Sequence, residues 1–397
     1  MFEQIQRVPP DLILGLIAQY RADPNPDKVD LGVGVYQNEA GETPVLDCVK
    51  QAEETLNRQE TSKSYLGPKG VVGFNEAISE LLLGADHPAL AAGRMVTVQT
   101  PGGTGALRVA GEVIRKVVPD AAIHVPDPTW PNHNALFPAA GFPLSTFRYR
   151  DKVGGELDFA GMLEDLRKLG PKDVVVLHAC CHNPTGIDLS PEQWGRVVEV
   201  AAERKFLPLV DMAYQGFGVD LDTDATGIRQ LAEGVPEFLV TSSCSKNFGL
   251  YRERCGAISM VLPNAEKAQD AETNIHSITR GIYSMPPTHG PGIVDLILHS
   301  EELTKVWHEE LKVMRERING QRRKFVQKMT DVGIDRDMSF IERQYGMFSL
   351  LGISAGELDR LRDDYSIYIV ADTRINVAGL RDANLDYTVN ALAEVLS

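Results

Sequence analysis

The stretch with the most reactive chemistry is Ser242-Ser243-Cys244-Ser245-Lys246-Asn247, which Arg254 follows closely. The apolar run before it, Phe238-Leu239-Val240-Thr241, predicts a buried β-strand, so Lys246 should lie just beyond a strand's carboxyl end, where open α/β sheets bind ligands. A lysine amine can condense with an aldehyde, and hydroxyls with an arginine can hold a phosphate. An aldehyde and a phosphate on one ligand indicate pyridoxal 5′-phosphate (PLP). Most lysines lie on protein surfaces, however, so this interpretation needs support from the rest of the chain.

Two other apolar runs end in polar residues that suit the same chemistry. Residues 174–178 precede Asn183, and residues 206–210 lead directly into Asp211, with Tyr214 three positions later. Successive buried strands of a largely parallel sheet bring their carboxyl ends to one edge. A carboxylate there could keep the pyridine nitrogen of PLP protonated, which makes the ring an electron sink. The sequence therefore predicts that these residues share a site with Lys246.

A glycine-rich turn and a tryptophan extend this pattern. Thr100-Pro101-Gly102-Gly103-Thr104-Gly105 separates a predicted strand from a predicted helix at 106–117, and a helix N-terminus after such a turn can bind an anion. A simple tight turn is an equally good interpretation. Trp130 follows the strand predicted at 121–125, where it could stack on a ring or serve only as a packing residue.

Composition excludes several classes of protein. The 397 residues carry a net charge of −15, which disfavours binding to the nucleic acid backbone. The five cysteines form no disulfide or zinc framework, and Cys180-Cys181-His182 is not expected to bind a metal. We expect a cytoplasmic protein, because neither a signal peptide nor an apolar run of about 18 residues is evident. Gly32-Val33-Gly34 imitates a dinucleotide-binding turn but lacks the third glycine, which disfavours a nicotinamide dehydrogenase.

The order of predicted elements indicates an α/β protein with two domains. Alternating strands and helices from residue 96 predict a mostly parallel sheet flanked by helices, and the mixed elements after residue 300 predict a smaller α+β domain. We predict an N-terminal arm at 1–12, a small domain at 13–43 and 305–397, and a large PLP-binding domain at 44–304.

The chain resembles the class I (subgroup Iα) aspartate and aromatic-amino-acid aminotransferases of fold type I, from end to end. The motifs that carry this resemblance are Gly34-Val35-Tyr36, Tyr65-Leu66, Gly102-Gly103-Thr104-Gly105-Ala106-Leu107, Asp127-Pro128-Thr129-Trp130, His182-Asn183-Pro184-Thr185-Gly186, Asp211-Met212-Ala213-Tyr214-Gln215-Gly216-Phe217, Ser245-Lys246-Asn247-Phe248 and Arg374-Ile375-Asn376-Val377-Ala378-Gly379.

The resemblance implies a role for each candidate site residue. Lys246 would be the catalytic lysine that binds PLP, Asp211 would pair with the pyridine nitrogen, and His133 and His178 would support Asp211. Cofactor contacts are implied for Trp130, Asn183, Tyr214, Gly103, Thr104, Ser243, Ser245 and Arg254, with Tyr65 supplied by the other subunit of a homodimer. Substrate contacts are implied for Gly34, Trp130, Asn183, Arg374 and, again from the other subunit, Arg280.

The implied reaction is a ping-pong transfer of an amino group to 2-oxoglutarate from aromatic amino acids (tyrosine, phenylalanine), from aspartate, or from both. A strict aspartate aminotransferase is the main alternative, and a PLP lyase or decarboxylase is another. A non-catalytic regulator lobe would need an attached DNA-binding segment, which the sequence does not offer. Cys244 departs from the family pattern, which usually has an aromatic residue there, and we expect altered packing without loss of chemistry.

Overall fold

The computed structural model describes residues 2–7, 12–151 and 155–396. The chain divides into two compact units. The large unit comprises Pro44–Asn183 and Ile187–Glu316, and the small unit comprises Met1–Thr43, Pro184–Gly186 and Arg317–Ser397. The predicted domain limits stay a prediction, and residues 1 and 8–11 of the predicted arm lie outside the described residues.

The strands are short and apolar. In chain order they are β1 (Val29–Asp30), β2 (Met95–Pro101), β3 (Ala122–Asp127), β4 (Leu144–Arg148), β5 (Asp173–His178), β6 (Leu207–Met212), β7 (Phe238–Ser243), β8 (Cys255–Val261), β9 (Phe348–Leu350), β10 (Ile367–Tyr368) and β11 (Arg374–Asn376).

The α-helices connect and cover these strands. In chain order they are α1 (Leu12–Ala22), α2 (Asp47–Gln59), α3 (Val72–Leu83), α4 (Pro88–Ala91), α5 (Gly102–Val117), α6 (Pro131–Ala139), α7 (Phe159–Leu166), α8 (Pro191–Arg204), α9 (Thr226–Gly234), α10 (Ala265–Ile282), α11 (His289–Leu298), α12 (Glu301–Asp331), α13 (Ala355–Tyr365) and α14 (Asp382–Leu396).

The large unit is built on a seven-stranded sheet in the order β2-β8-β7-β6-β5-β3-β4. Strand β8 is antiparallel to both of its neighbours, and the other adjacent pairs are parallel. The carboxyl ends of β2, β3, β5, β6 and β7 therefore share one edge with the beginning of β8, and we call it the ligand edge. The predicted mostly parallel α/β fold is confirmed.

The core of the large unit follows from the apolar faces of its elements. Helix α5 packs on β7 and β8 and buries Ala106, Leu107 and Ala110 in the apolar core of the sheet. Helix α8 begins with a capping box at Ser190. Most predicted bounds shift by only one or two residues. Strand β6, predicted to end before Asp211, continues through it to Met212, so Asp211 is the next-to-last residue of the strand.

The small unit contains two two-stranded sheets. Strand β1 pairs in parallel with β10, and β9 pairs antiparallel with β11. The run from Glu301 to Met329 has no proline and predicts one or two long helices; the structure has the single helix α12, which ends in this unit. Within the described part of the chain, every helix is too short or too polar to span a membrane.

Candidate functional site

Strands β5, β6 and β7 deliver the predicted polar residues to the ligand edge. In the strand register His178 lies opposite Asp211, and Met212 lies opposite Ser242. Asn183 follows β5 by five residues and Lys246 follows β7 by three. The structure thus places these residues at the carboxyl ends of adjacent strands, where the sequence predicts them.

Asp211 is a buried carboxylate that faces a histidine. Its Oδ2 lies 3.4 Å from Nε2 of His133, whose side chain is fully buried. Burial by itself raises the pKa of Asp211, but the contact with His133 and the nearby charge of Lys246 outweigh it, so the net pKa is below the usual value. Asp211 is therefore a fixed anion at neutral pH.

A chain of polar contacts behind Asp211 has a defined direction. The backbone N–H of Asn183 donates to Nδ1 of His178 at 3.3 Å. A neutral His178 therefore carries its proton on Nε2, and this nitrogen lies 3.4 Å from the hydroxyl of Thr129. That hydroxyl is 2.8 Å from Nδ1 of His133 and can donate to it. His133 then carries its proton on Nε2, the nitrogen that faces Asp211.

The neighbouring histidine rings are held in the neutral form. Burial, together with the charges of His182 and His133, places the pKa of His178 well below its ordinary value. Burial and His133 lower the pKa of His182 to about 3. The ring of His182 lies between those of His178 and Tyr149, at centroid distances of 4.1 and 4.2 Å.

Lys246 and Trp130 flank this group. Nζ of Lys246 lies 4.9 Å from the ring centroid of Tyr214, a buried residue of the segment after β6. Trp130 precedes α6, and its ring meets that of His133 edge to face at 5.3 Å. A flat aromatic face, an amine and a fixed carboxylate are thus supplied by neighbouring segments.

The start of α5 forms an anion cradle with β7 and β8. A Cβ on Gly103 would lie 3.1 Å from Cβ of Ser243, and one on Gly102, where φ is +74°, would lie 2.5 Å from Nη2 of Arg254. Oγ of Ser243 donates to Oγ of Ser245 at 3.0 Å. Arg254 immediately precedes β8, so the antiparallel strand explains how this guanidinium reaches the ligand edge. Glycine amides, two hydroxyls and a guanidinium suit a phosphate.

The predicted carboxylate-binding residues of the small unit form a second group. Cζ of Arg374 lies 4.3 Å from the ring centroid of Phe348, and its Nη2 donates to the carbonyl of Gly32 at 2.8 Å. A Cβ on Gly34 would lie 3.3 Å from the same phenyl ring. Arg374 is only 3 % exposed, so its contacts fix it in one position.

Tyr65 and Arg280, the two residues predicted to act in a neighbouring subunit, lie on the surface of the large unit. Tyr65 is 90 % exposed, and Nη1 of Arg280 donates to Oγ of Ser284 at 3.1 Å. Cys244 is buried immediately after β7, where its backbone amide donates to the carbonyl of Cys255 at 3.0 Å. The expected effect of Cys244 on packing stays a prediction.

Sequence reasoning missed Thr129 and Asp224. Thr129 lies inside a motif that the sequence analysis identified, but only the fold brings it between two histidines. Asp224 accepts backbone hydrogen bonds from Gly216, Gly218 and Val219 and so shapes the loop after Tyr214. Its carboxylate also lies within 4.8 Å of the thiols of Cys180 and Cys181; the expectation of no bound metal stays a prediction.

Comparison with known proteins agrees with this geometry. The chain is 47 % identical to an aromatic-amino-acid aminotransferase of Pseudomonas aeruginosa, over 99 % of this chain and 98 % of that protein. It is 44 % identical to an aspartate aminotransferase of Haemophilus influenzae over the full length of both. The crystal structure of an aromatic-amino-acid aminotransferase from Burkholderia pseudomallei covalently bound to pyridoxal phosphate matches with a TM-score of 0.98 and 44 % identity, over the full length of both chains. The profile of aminotransferase class I and II matches residues 26–392, and the chain belongs to that family.

Proposed function

We propose that this protein is a PLP-dependent aminotransferase that transfers an amino group from aromatic amino acids, from aspartate, or from both to 2-oxoglutarate by a ping-pong mechanism. The observation that carries the proposal is the arrangement of Asn183, Asp211 and Lys246 at adjacent strand ends, beside a glycine-lined anion cradle. The names of the relatives support it, since they include both aromatic-amino-acid and aspartate aminotransferases.

The residues of the ligand edge fit the cofactor. Because Gly102 and Gly103 lack side chains, the start of α5 approaches Arg254 and Ser243 closely enough for amides, hydroxyls and guanidinium to share one phosphate. Asp211 remains ionised because its pKa is lowered, as a partner for a protonated pyridine nitrogen must be. When bound, PLP supplies an electron sink for the charge that develops at the substrate Cα.

The large unit would hold the cofactor and move the proton. Thr104 and Ser245 would join the phosphate contacts, Trp130 would stack on the ring, and Asn183 and Tyr214 would hydrogen-bond its phenolate oxygen. Lys246 would hold the cofactor through Nζ, and the same amine, when free, would be the base that accepts the proton from the substrate Cα. His133 acts through Asp211 by holding that carboxylate in place.

Substrate binding would depend on arginines. Arg374 pairs with the α-carboxylate, because a planar guanidinium matches both carboxylate oxygens, and Gly34 leaves room beside it. Arg280 of the other subunit would meet the distal carboxylate of aspartate, glutamate or 2-oxoglutarate. The same pocket would accept the aromatic side chains of tyrosine and phenylalanine.

A homodimer is part of the proposal because Tyr65 and Arg280 would act in the neighbouring subunit. Their surface positions support this assignment. Mixing a Lys246→Ala subunit with an Arg280→Ala subunit should restore some activity, since one of the two shared sites would then be intact. A fully active protein that elutes as a monomer in gel filtration would contradict the proposed dimer.

We also propose a cytoplasmic location and the domain limits given above.

Two measurements test the proposed reaction. Borohydride reduction of the holoenzyme should fix PLP on the peptide that contains Lys246, and Lys246→Ala should lose both the label and turnover. The matched control Lys205→Ala, at the opposite end of the sheet, should retain both. Steady-state rates with aspartate, phenylalanine and tyrosine, each with 2-oxoglutarate, then rank the donors. Release of ammonia or carbon dioxide without amino transfer would instead indicate a lyase or decarboxylase.

A further inference from the structure

A second buried arginine lies in the small unit, apart from the residues already assigned. Arg322, on α12, is 1 % exposed. Its guanidinium donates to four oxygens of one short stretch: Nη1 to the carbonyl of Ile341 at 3.1 Å and to Oγ of Ser349, and Nη2 to the carbonyls of Gly346 at 2.7 Å and Phe348 at 3.3 Å. We call residues 341–349 the arginine-bound segment. A buried charge is costly unless it is hydrogen-bonded, so this arrangement fixes the segment firmly to the helix.

The arginine-bound segment carries the ring that contacts Arg374. Phe348 is both an acceptor of Arg322 and the aromatic face 4.3 Å from Cζ of Arg374. In the antiparallel pair of β9 and β11, Phe348 lies opposite Asn376, whose Nδ2 donates to the carbonyls of Val33 and Val35. A displacement of the Phe348 backbone would therefore move its phenyl ring and strand β9, and with them the guanidinium of Arg374 that packs on the ring.

The same segment also holds the turn that follows Asn183 in the chain. The amide of Tyr345 donates to the carbonyl of Gly186 at 2.7 Å. Gly186 has φ +70°, and a Cβ there would lie 2.5 Å from the carbonyl oxygen of Phe348. The carbonyl oxygen of Phe348 therefore accepts from Arg322 and also packs closely against Gly186, so the arginine-bound segment has little freedom to move.

We infer that Arg322 is a positioning residue for carboxylate binding: it holds the arginine-bound segment so that Phe348 keeps Arg374 in its binding orientation. This inference rests on the proposed role of Arg374. Arginine is required because its planar fork reaches four oxygens on both Nη atoms, whereas a lysine is a point charge with three donors on one nitrogen.

The test uses the PLP-loaded enzyme and two ligands that differ in one group, a carboxylate in the first and a neutral amide in the second. The dissociation constants of 3-phenylpropanoate and of its neutral amide, 3-phenylpropanamide, are measured by calorimetry for the wild type and for Arg322→Lys. We expect the constant for the carboxylate to rise about 10-fold or more, as for loss of hydrogen bonds to a charged group, and that for the amide to change by less than about 2-fold. The KM values for donor and acceptor should rise together while kcat changes little.

Two variants serve as controls of local structure. Arg323→Lys changes the adjacent exposed arginine and should leave both constants unchanged. Ser349→Ala removes one acceptor of Arg322 and should raise the carboxylate constant by a smaller factor, about 3-fold, in the same direction. This second variant keeps the inference testable if Arg322→Lys folds poorly.

Arg374→Lys distinguishes a failure of the inference about Arg322 from a failure of the proposed role of Arg374. If it weakens carboxylate binding but Arg322→Lys and Ser349→Ala do not, the inference is wrong and the proposed role of Arg374 stands. Equal weakening of carboxylate and amide in Arg322→Lys would reduce Arg322 to a general structural residue and would also overturn it. If Arg374→Lys leaves carboxylate binding unchanged, the assignment of Arg374 itself fails.

Discussion

The large and small units both bury charged groups, but they stabilise them in different ways. In the large unit, the carboxylate of Asp211 faces a histidine nitrogen and lies in the field of Lys246. In the small unit, the guanidinium groups of Arg322 and Arg374 donate to main-chain carbonyls and, for Arg374, pack on an aromatic ring. Neutral oxygens satisfy the donors of a cation without cancelling its charge. The first unit is suited to a cationic ring, and the second to a carboxylate.

The backbones that carry these charges also differ. At the ligand edge the side chains lie on, or a few residues after, strands of six or seven residues that pair with their neighbours. In the small unit β9 and β11 have three residues each, and side chains of α12 and β11 bonded to carbonyls hold the segments in place. Substitutions at the ligand edge should therefore affect mainly chemistry and cofactor retention, and those around Arg374 in the small unit mainly substrate affinity.

The largest expected effect comes from Asp211→Asn, which removes the fixed anion of the large unit. We expect kcat to fall by about 100-fold or more, the range for losing one preorganised electrostatic group, and PLP to dissociate more readily. The matched control is Asp173→Asn, which alters another aspartate–histidine pair, at the opposite end of β5, where Oδ1 lies 2.8 Å from Nε2 of His124. Steady-state kinetics of both variants check this, and a similar loss of kcat in each would remove the distinction.

Gly256→Ala tests how closely the cradle is built. The new Cβ would lie 2.6 Å from the carbonyl carbon of Gly102 and from the carbonyl oxygen of Ser242, and backbone atoms cannot give way independently. We expect PLP to bind about 10-fold more weakly, since strain of this kind costs of order 1–3 kcal/mol. Gly320→Ala on α12 is the control, because its Cβ would meet nothing within 4 Å. Equilibrium dialysis measures the affinity for PLP. If Gly256→Ala bound PLP as tightly as the wild type does, the cradle would not need the close approach of Gly256 to Gly102.

The ligand edge could be predicted further from sequence than the small unit because its signals are local. Polar residues stand at or shortly after the end of each long apolar run, so Asn183, Asp211 and Lys246 could be assigned to one edge from the order of these runs. Arg322 lies in the run Gln321-Arg322-Arg323-Lys324, which has the composition of a solvated helix face, and its burial depends on a segment that follows it by about 20 residues. The antiparallel direction of β8 was likewise not predictable, because apolar patterning does not encode strand direction.

Phe348→Leu isolates the aromatic contact in the small unit. It keeps a buried apolar side chain but removes the ring under Arg374. We expect KM for both substrates to rise about 3- to 30-fold, in line with cation–π energies of about 0.5–2 kcal/mol, with a much smaller change in kcat. Phe325→Leu, an equally buried phenylalanine of the same unit, controls for lost volume. A fall in kcat with unchanged KM would mean that the ring serves the chemistry and not substrate affinity.

The smallest effect concerns the free energy of unfolding below neutral pH. Buried histidines of the large unit can change it, because arginines do not titrate in this pH range. The pKa of His182 is lowered to about 3, against about 6.5 in an unfolded chain. Between these values only the unfolded state binds the proton, so acidification favours unfolding by about 1.4 kcal/mol per pH unit. Taking the protein from pH 7.5 to 5.5 should therefore cost about 1.4 kcal/mol through this residue.

His182→Gln should remove that part of the pH dependence, although packing between Tyr149 and His178 is also lost. The quantity to compare is the change in free energy of urea unfolding between the two pH values, because the packing loss is the same at both and cancels. His299→Gln, whose wild-type side chain is 49 % exposed, should behave like the wild type. If His182→Gln loses as much stability on acidification as the wild type does, other groups must carry the proton linkage, and the neutral histidines behind Asp211 would not distinguish the two units.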